Sequence, residues 1–349
     1  MMHASYTDYV LEFKRPSGTS RGTLYQKQSY FIRITDGDRM GFGEVGVLRG
    51  LSYDDVPELE KQLQWTTENI HLGLAELYAA NLHFPSIQFA LEQAFSHLNH
   101  GFEHFPSAFT KGRKPQHING LIWMGDRAFM MEQITARLNE GFKTLKMKVG
   151  AISWDSEREL LGYIRERFSP DELEIRVDAN GAFTLKEALT VGEFLSEISV
   201  HSIEQPLPPA DLEGLQAAAV QMQVPIALDE SLIGVLQKKD KVHLLENIQP
   251  QYIILKPSFI GGWLGSDEWI SLAEERGIRW WATSALESNL GLNAIAQWAY
   301  TKHNSIPQGL GTGSLYTNNL PAPLRVHGGE LTISGDIATD WDLSPLSFK

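Results

Sequence analysis

The pattern of hydrophobic and polar positions changes at about residue 115. Before that point, apolar and polar residues alternate in three segments, which predicts antiparallel strands joined by short turns: YVLEF, SYFIRIT and RMGFGEVGVL. In the next two stretches, at about 54–80 and 85–100, apolar residues recur at helical spacing. Strands followed by helices predict a small α+β domain over residues 1–115.

From residue 116 onward, short apolar runs alternate with amphipathic stretches. Eight runs have the character of strands: HINGLIW, TLKMKVG, LEIRVDAN, HSIEQPL, VPIALDES, YIILKPS, IRWWATSAL and PQGLGTG. Their spacing of 25 to 30 residues is typical of β-α units with a parallel sheet. We therefore predict an α/β fold, a (β/α)8-type barrel over residues 116–320, with a doubly wound open sheet as the alternative. We expect the tail, 321–349, to return to the first domain and complete an α+β capping domain.

Three consecutive strands of the second region end in an acidic residue. Asp178 lies in RVDAN, Glu204 in SIEQP and Asp229 in ALDES. A single acid at such a place commonly caps a helix, but in a parallel barrel all three would reach the C-terminal mouth, where barrel enzymes have their active sites. Clustered carboxylates suit a hard divalent cation, so we predict Mg²⁺, with Mn²⁺ as the alternative. Asn180 is expected either to support this site or to cap a helix.

Three lysines accompany the acids. Lys146 and Lys148 share one face of the strand before Asp178, and Lys256 ends the strand after Asp229. Lysines that alternate with apolar residues commonly mark a solvated edge strand, and a metal-free ion-pair network would also explain the set. We favour catalysis next to a substrate carboxylate, because a cation stabilises the charge that proton loss leaves. Lys148 is then the expected base, Lys146 lowers its pKa, and Lys256 faces it across the substrate.

Composition limits the partners. The 349 residues carry a formal net charge of −13 that is spread along the chain, so nucleic acid and anionic membranes are not expected as partners. The absence of cysteine excludes disulfides, thiolate metal ligands and a cysteine nucleophile. We find neither a signal sequence nor a run of about 18 apolar residues. We therefore expect a cytoplasmic protein with a small carboxylate substrate, and a homo-oligomer is compatible with the sequence.

The ordered motifs resemble those of the enolase superfamily, in its muconate-cycloisomerase-like subgroup. GFGEV is similar to the G-x-G-E segment of the capping domain, KMK to the base motif on the second barrel strand, and LKPS to the segment of the second lysine. DAN, EQP and DES are similar to the three ligand strands. The resemblance implies a barrel with a capping domain, Mg²⁺ bound by Asp178, Glu204 and Asp229, and Lys148 and Lys256 on the two faces of the substrate.

Within this subgroup the chain is most similar to the o-succinylbenzoate synthases of menaquinone biosynthesis. The segment SALESNLGL, at 284–292, resembles their serine-rich segment after the seventh strand, which implies that Ser284 and Ser288 contact the substrate. The implied activity is that of a lyase, the dehydration of 2-succinyl-6-hydroxy-2,4-cyclohexadiene-1-carboxylate to o-succinylbenzoate through an enediolate. An N-acylamino acid racemase, another subgroup enzyme such as a cycloisomerase or dipeptide epimerase, and a non-catalytic binding scaffold stay as alternatives.

Two glycine-rich segments need separate interpretations. GFGEVG, at 41–46, satisfies the dinucleotide pattern G-x-G-x-x-G, but no helix opens after it, so we interpret it as a tight turn. The segment SGTSRGTLYQK, at 17–27, resembles the mobile loop with which this family closes its site, and an ordinary surface loop is the alternative.

Overall fold

The N-terminal part folds as an antiparallel sheet covered by helices. The computed structural model describes residues 2–19 and 22–348. Its first three strands pair in chain order: β1 (His3–Thr19), β2 (Gly22–Asp36) and β3 (Arg39–Val45). Three helices follow, with a 3₁₀ turn between the first two: α1 (Leu59–Glu68), α2 (Gly73–Ala80) and α3 (Pro85–His100). The three predicted strands and the predicted helix at 85–100 are confirmed, whereas the stretch predicted as helical at 54–80 consists of the two helices α1 and α2.

The glycines of GFGEVG allow β3 to pack closely on α3. A Cβ atom on Gly41 would overlap the carbonyl oxygen of Ala94, and one on Gly43 would overlap that of Ala90. Because Gly41 and Gly43 lie inside a regular strand, the expectation of a tight turn is wrong. These glycines permit a close approach of two backbones.

The glycine-rich segment 17–27 falls partly outside the described residues. Ser20 and Arg21 lie outside them, so the expected mobile loop is described only in part. On either side of these two residues the backbone is paired, with Thr19 opposite Gly22 and Gly18 opposite Thr23.

The barrel follows a short strand, β4 (Gln116–His117). Its parallel sheet has seven strands in chain order: β5 (Gly120–Ile122), β6 (Thr144–Lys148), β7 (Glu174–Asp178), β8 (Ser202–Glu204), β9 (Ile226–Leu228), β10 (Tyr252–Leu255) and β11 (Arg279–Ala282). Helices follow each of these strands: α4 (Arg127–Asn139), α5 (Trp154–Arg165), α6 (Leu185–Glu197), α7 (Leu212–Gln221), α8 (Lys238–Ile248), α9 (Pro257–Ile260), α10 (Gly262–Glu274) and α11 (Asn289–Thr301). The largest hydrophobic cluster lies between sheet and helices, as parallel sheets covered by crossover helices require. No helix in the described part of the chain is both long and apolar enough to cross a membrane.

Two backbone bridges close the barrel where a complete eighth strand was expected. Gln308 pairs with Ile118, and Gly309 pairs with Thr283, in both cases in parallel. The predicted strand PQGLGTG is this short because a 3₁₀ turn begins at Gly311. The sheet is therefore closed, and the (β/α)8-type barrel is confirmed over the open doubly wound alternative.

The C-terminal residues contact both parts of the molecule. A hairpin pairs with β4 at the start of the barrel: β12 (Leu324–His327) and β13 (Glu330–Ile333). Farther along, Trp341 stacks on Phe102 with ring centroids 4.2 Å apart, and Phe348 contacts Phe42 of β3. The boundaries at residues 115 and 320 stay a prediction. We use the term capping domain for β1 to β3 with α1 to α3.

Candidate active site

The predicted charged residues meet at the carboxyl ends of neighbouring strands. Lys148, Asp178 and Glu204 are direct partners across β6, β7 and β8. Asp229 follows β9, and Lys256 follows β10. Parallel strands bring their carboxyl ends to one edge, so the residues that end these strands share one mouth of the barrel.

Lys146 lies one layer below Lys148 and connects two of the acids. Its Nζ atom is 2.9 Å from Asp178 Oδ2 and 2.6 Å from Glu204 Oε1. Lys148 Nζ donates a hydrogen bond of 2.9 Å to the same Oδ2 of Asp178. The side chains of Lys146 and Lys148 are 9% and 12% exposed. Carboxylates pair with both buried lysines, and this pairing offsets the cost of burying them.

The ion pairs set the protonation states of the inner layer. Burial acts to lower the pKa of Lys146, but Asp178, Glu204 and Asp229 together outweigh burial and raise it. Burial acts to raise the pKa of Asp178, but Lys146 and Lys148 hold it well below its usual range. Burial and the charge of Asp178 raise the pKa of Glu204 well above its usual range. Lys146 is therefore an ammonium at neutral pH.

Lys256 stands across the mouth from Lys148, because β10 is four strands from β6 in an eight-position barrel. Its Nζ atom donates a hydrogen bond to Asp229 Oδ2. Burial acts to lower the pKa of Lys256, but Asp229 and Glu230 outweigh it and raise that pKa. Lys256 therefore brings a positive charge to the side of the mouth opposite Lys148.

Asn180 connects Lys148 to Glu230, an acid that the sequence analysis missed. Lys148 Nζ donates to Asn180 Oδ1 at 2.6 Å, and Asn180 Nδ2 donates to Glu230 Oε1 at 2.8 Å. The backbone of Asn180 has a left-handed φ of +46°, a conformation that non-glycine residues adopt where the surroundings require it. Glu230 stands beside Asp229 in the motif DES, and a second acid at a strand end was the signal that could have pointed to it.

These residues border a cavity of about 290 Å³ between the barrel mouth and the capping domain. Charged and amide groups line one part of it: Lys146, Lys148, Asp178, Asn180, Glu230 and Lys256. Apolar side chains from the capping domain and the barrel loops line another part: Leu24, Leu48, Leu51, Trp123, Phe259 and Leu286. A cavity lined by both charged groups and apolar side chains suits a small molecule that has both a carboxylate and a hydrocarbon part.

The two serines predicted to contact the substrate lie in different places. Ser284 lines the cavity, and its hydroxyl is 2.6 Å from that of Thr312. Ser288 is buried at the start of α11, where its hydroxyl donates to Glu44 Oε2 at 2.5 Å and accepts from the backbone of Leu290. The structure therefore brings Ser284 to the cavity, and it places Ser288 at the contact with β3 instead.

The acids fit a hard cation by their chemistry. Asp178, Glu204 and Asp229 offer carboxylate oxygens at one mouth, which are the ligands that Mg²⁺ prefers. In residues 2–19 and 22–348, no three acidic or histidine side chains are close enough together to hold a metal ion. Lys146 contacts Asp178 and Glu204 in this arrangement, and Lys256 contacts Asp229.

Comparison with known proteins identifies the family. A family model described as Enolase C-terminal domain-like matches residues 130–336. The chain is also 45% identical to an o-succinylbenzoate synthase of Desulfotalea psychrophila, over 95% of this chain and 99% of that protein. The chain belongs to the o-succinylbenzoate synthase family of the enolase superfamily.

The chain is also similar to a solved structure of this family and to a racemase. The crystal structure of MenC from Desulfotalea psychrophila LSv54 is similar with a TM-score of 0.84 and 42% identity, covering 95% of this chain and 99% of that one. An N-succinylamino acid racemase of an Amycolatopsis species is 29% identical over 58% of this chain and 54% of its own length. The predicted superfamily and family are confirmed, and the roles of individual site residues stay predictions.

Proposed function

We propose that this protein is an o-succinylbenzoate synthase, a lyase that dehydrates 2-succinyl-6-hydroxy-2,4-cyclohexadiene-1-carboxylate to o-succinylbenzoate. The observation that carries the proposal is the 45% identity to a synthase over nearly the full length of both chains. We also propose that the enzyme serves menaquinone biosynthesis in the cytoplasm. The net charge of −13 supports a small-molecule substrate rather than nucleic acid as the partner.

In this proposal Lys148 removes the proton next to the ring carboxylate. Its Nζ atom is oriented by Asp178 Oδ2 at 2.9 Å and Asn180 Oδ1 at 2.6 Å. Proton transfer requires a positioned amine, and Lys148 borders the cavity with Lys146 beside it as a neighbouring charge. Lys148 therefore has two properties that a catalytic base requires, a fixed orientation and access to the cavity.

The second step uses the proton that Lys148 has taken up. Lys148 returns this proton to the 6-hydroxyl, the C6–O bond breaks, and water leaves while its bonding electrons go to oxygen. The electron pair from the first step forms the last double bond of an aromatic ring, which makes the step downhill. Across the mouth, the ammonium of Lys256 stabilises the negative charge of the enediolate. In this proposal both groups leave from one face, so one acid/base residue is sufficient.

Mg²⁺ is the proposed cofactor, with Mn²⁺ as the alternative and Asp178, Glu204 and Asp229 as its ligands. Two observations support it: the all-carboxylate donor set, and membership in a superfamily whose members generally depend on Mg²⁺. When bound, such a cation supplies positive charge to the substrate carboxylate and thereby favours loss of the adjacent proton.

A racemase of N-succinylamino acids is the second candidate. Its support is the similarity to the Amycolatopsis racemase and the two lysines on opposite sides of the mouth, since racemisation needs proton transfer at both faces. Assays of the purified protein with both substrate types separate the candidates. We expect a higher kcat/KM for the cyclohexadiene carboxylate. A much higher kcat/KM for N-succinylamino acids would contradict the synthase assignment.

A further inference from the structure

A buried set of charges joins the capping domain to the barrel beside the cavity. It consists of Lys27 on β2, Glu44 on β3 and Glu287 in the loop between β11 and α11, and we call it the interdomain charge cluster. The three residues are 3%, 0% and 0% exposed. Three buried ionisable groups are costly to bring together, yet none of them has a part in the proposed reaction.

Glu44 is held by donors from both sides of the interface. Its Oε1 atom accepts hydrogen bonds from Ser29 Oγ at 2.9 Å and from the backbone of Ser288 at 3.0 Å. Its Oε2 atom accepts from Ser288 Oγ at 2.5 Å and from the backbone of Gly291 at 3.1 Å. This carboxylate therefore fixes the first turn of α11 against β3.

Glu287 connects helix α9, which follows β10, with the loop that follows β11. Its Oε1 atom accepts from Ser258 Oγ at 2.5 Å, and its Oε2 atom accepts from the backbone of Ala285 at 2.6 Å. Ser258 comes two residues after Lys256, and Ala285 lines the cavity beside Ser284. The carboxylate of Glu287 thus holds both the segment that carries Lys256 and a wall of the cavity.

Lys27 is the cation of the cluster and belongs to the capping domain. Its Nζ atom is 3.8 Å from Glu44 Oε1, and within the described part of the chain it has no hydrogen-bond acceptor. Burial raises the pKa of Glu287, while the charge of Lys27 acts against this rise and Glu44 adds to it. Lys27 therefore compensates the charge of Glu44, which is the neighbour of Glu287 at Gly291. Lys27 belongs to the same strand that brings Thr23 and Leu24 to the cavity.

Two glycines, Gly46 and Gly291, allow the backbone to pack closely against Ser258 and Glu287. A Cβ atom on Gly46 would lie 2.6 Å from Ser258 Oγ and 3.1 Å from Glu287 Cγ, and one on Gly291 would lie 2.8 Å from Glu287 Cβ. Leu286 has a left-handed φ of +62°, which a non-glycine residue keeps only where its surroundings impose it. The loop that carries Glu287 is therefore held in one conformation by contacts from both parts of the molecule.

We propose that Glu287 is a positioning residue for the synthase reaction and that Lys27 couples its position to the capping domain. Through Ser258 it places the segment of Lys256, and through Ala285 it places the cavity wall. Lys27 acts through Glu44, its ion-pair partner, which fixes the start of α11 directly after Glu287. This inference rests on the proposed function for the identity of the reaction, but the positioning itself does not depend on it.

Three variants separate charge from hydrogen bonding. Glu287→Gln removes the charge but keeps both contacts, because the amide oxygen can accept from Ala285 while the amide nitrogen donates to the Ser258 hydroxyl. Glu287→Ala removes both contacts, and Lys27→Met removes the cation but keeps an apolar side chain. The matched control is Lys241→Met, since Lys241 is also 3% exposed and pairs at 2.7 Å with Glu268 on the outer helices.

We expect Glu287→Ala to lower kcat about 100-fold with a smaller change in KM, because displaced groups lose reactive geometry. Lys27→Met should lower kcat about 10-fold. The double variant Lys27→Met/Glu287→Gln should recover part of that loss, because it leaves one uncompensated carboxylate in the cluster, Glu44, instead of two. Lys241→Met should lower the Tm but keep kcat and KM within about twofold.

Hydrogen exchange of residues 283–288, measured without substrate, gives a readout that is independent of the reaction. It should be faster in Glu287→Ala and Lys27→Met than in the wild type, and unchanged in Lys241→Met. The positioning role is wrong if these two variants lower the Tm while their kcat and the hydrogen exchange of residues 283–288 stay unchanged, as in Lys241→Met. If Glu287→Ala does not fold, Lys27→Met and the double variant decide the question. If the wild type racemises N-succinylamino acids instead, the proposed function fails, and the same variant-to-wild-type comparison with that substrate still tests the positioning.

Discussion

Two layers of buried charge lie inside the same barrel, and their surroundings differ. At the mouth, Lys148 and Lys256 pair with carboxylates and also border the cavity. Toward the floor, Arg176 is 1% exposed. It binds Glu174 at 2.6 Å and the carbonyl oxygen of Pro307 at 2.9 Å.

The difference shows that burial of charge does not by itself indicate catalysis. Arg176 is the β7 partner of Lys146 in the sheet, and its guanidinium stacks on Trp281 at 4.5 Å from the ring centroid. Among the described residues, Arg176 does not line the cavity. The lysines at the mouth differ because the cavity gives them access to a substrate. We therefore expect variants of residues that line the cavity to change rates, and variants of buried charges away from the cavity, such as Arg176, to change stability.

The largest expected effect is the loss of a proposed metal ligand. Asp178→Asn keeps the shape of the side chain but removes the negative charge, so we expect kcat/KM to fall by about 10³-fold or more. Added Mg²⁺ should raise the Tm of the variant less than it raises the Tm of the wild type, because the variant binds the cation less tightly. A variant that kept full activity and the full shift would contradict the ligand assignment.

The two lysines of β6 should differ in their contribution. Lys148→Ala removes the proposed base and should lower kcat by about 10³-fold, within the range of acid/base catalysis. Lys146→Arg keeps a positive charge next to Asp178 and Glu204. It should lower kcat about tenfold, because the larger side chain displaces the neighbouring groups from their reactive geometry. Steady-state kinetics of both variants decide this, and equal losses would mean that the two roles are assigned wrongly.

A floor variant tests the other half of the comparison. Arg176→Met removes charged hydrogen bonds to Glu174 and Pro307, so the free energy of unfolding should fall by about 1–3 kcal/mol. Because Arg176 is away from the cavity, kcat should stay within about twofold. Urea unfolding and kinetics on the same preparation measure both. A large loss of kcat at unchanged stability would mean that the floor also serves the reaction.

The free energy of unfolding should also depend on pH through His201, which is close to Arg176. Burial lowers the pKa of His201 to about 4, with Arg176 and Arg279 acting in the same direction and Glu174 against it. Since the folded pKa is below the unfolded value of about 6.5, this contribution is present above pH 6.5 and is lost as the pH falls toward 4. Between pH 7 and 5 the loss should be about 2 kcal/mol. Urea unfolding of wild type and His201→Asn measures it, and an equal pH dependence in both would contradict the assignment.

The sequence predicted those features that local patterns determine. Strand-ending residues such as Lys148, Asp178 and Glu204 could be placed at one mouth because period-two alternation and the parallel order define their register. Ser288 could not be placed, because its partner, Glu44, is 244 residues away and belongs to another domain. Lys27 was missed for the same reason, since nothing in the alternation of β2 shows that a second domain covers this lysine.

Formation of o-succinylbenzoate by the purified protein should be measured before chelation, after chelation and after Mg²⁺ is added back. We expect rapid formation from the cyclohexadiene carboxylate, loss of that rate in chelator, and recovery with Mg²⁺. Absence of product from the untreated protein, or a full rate in the presence of chelator, would contradict this expectation.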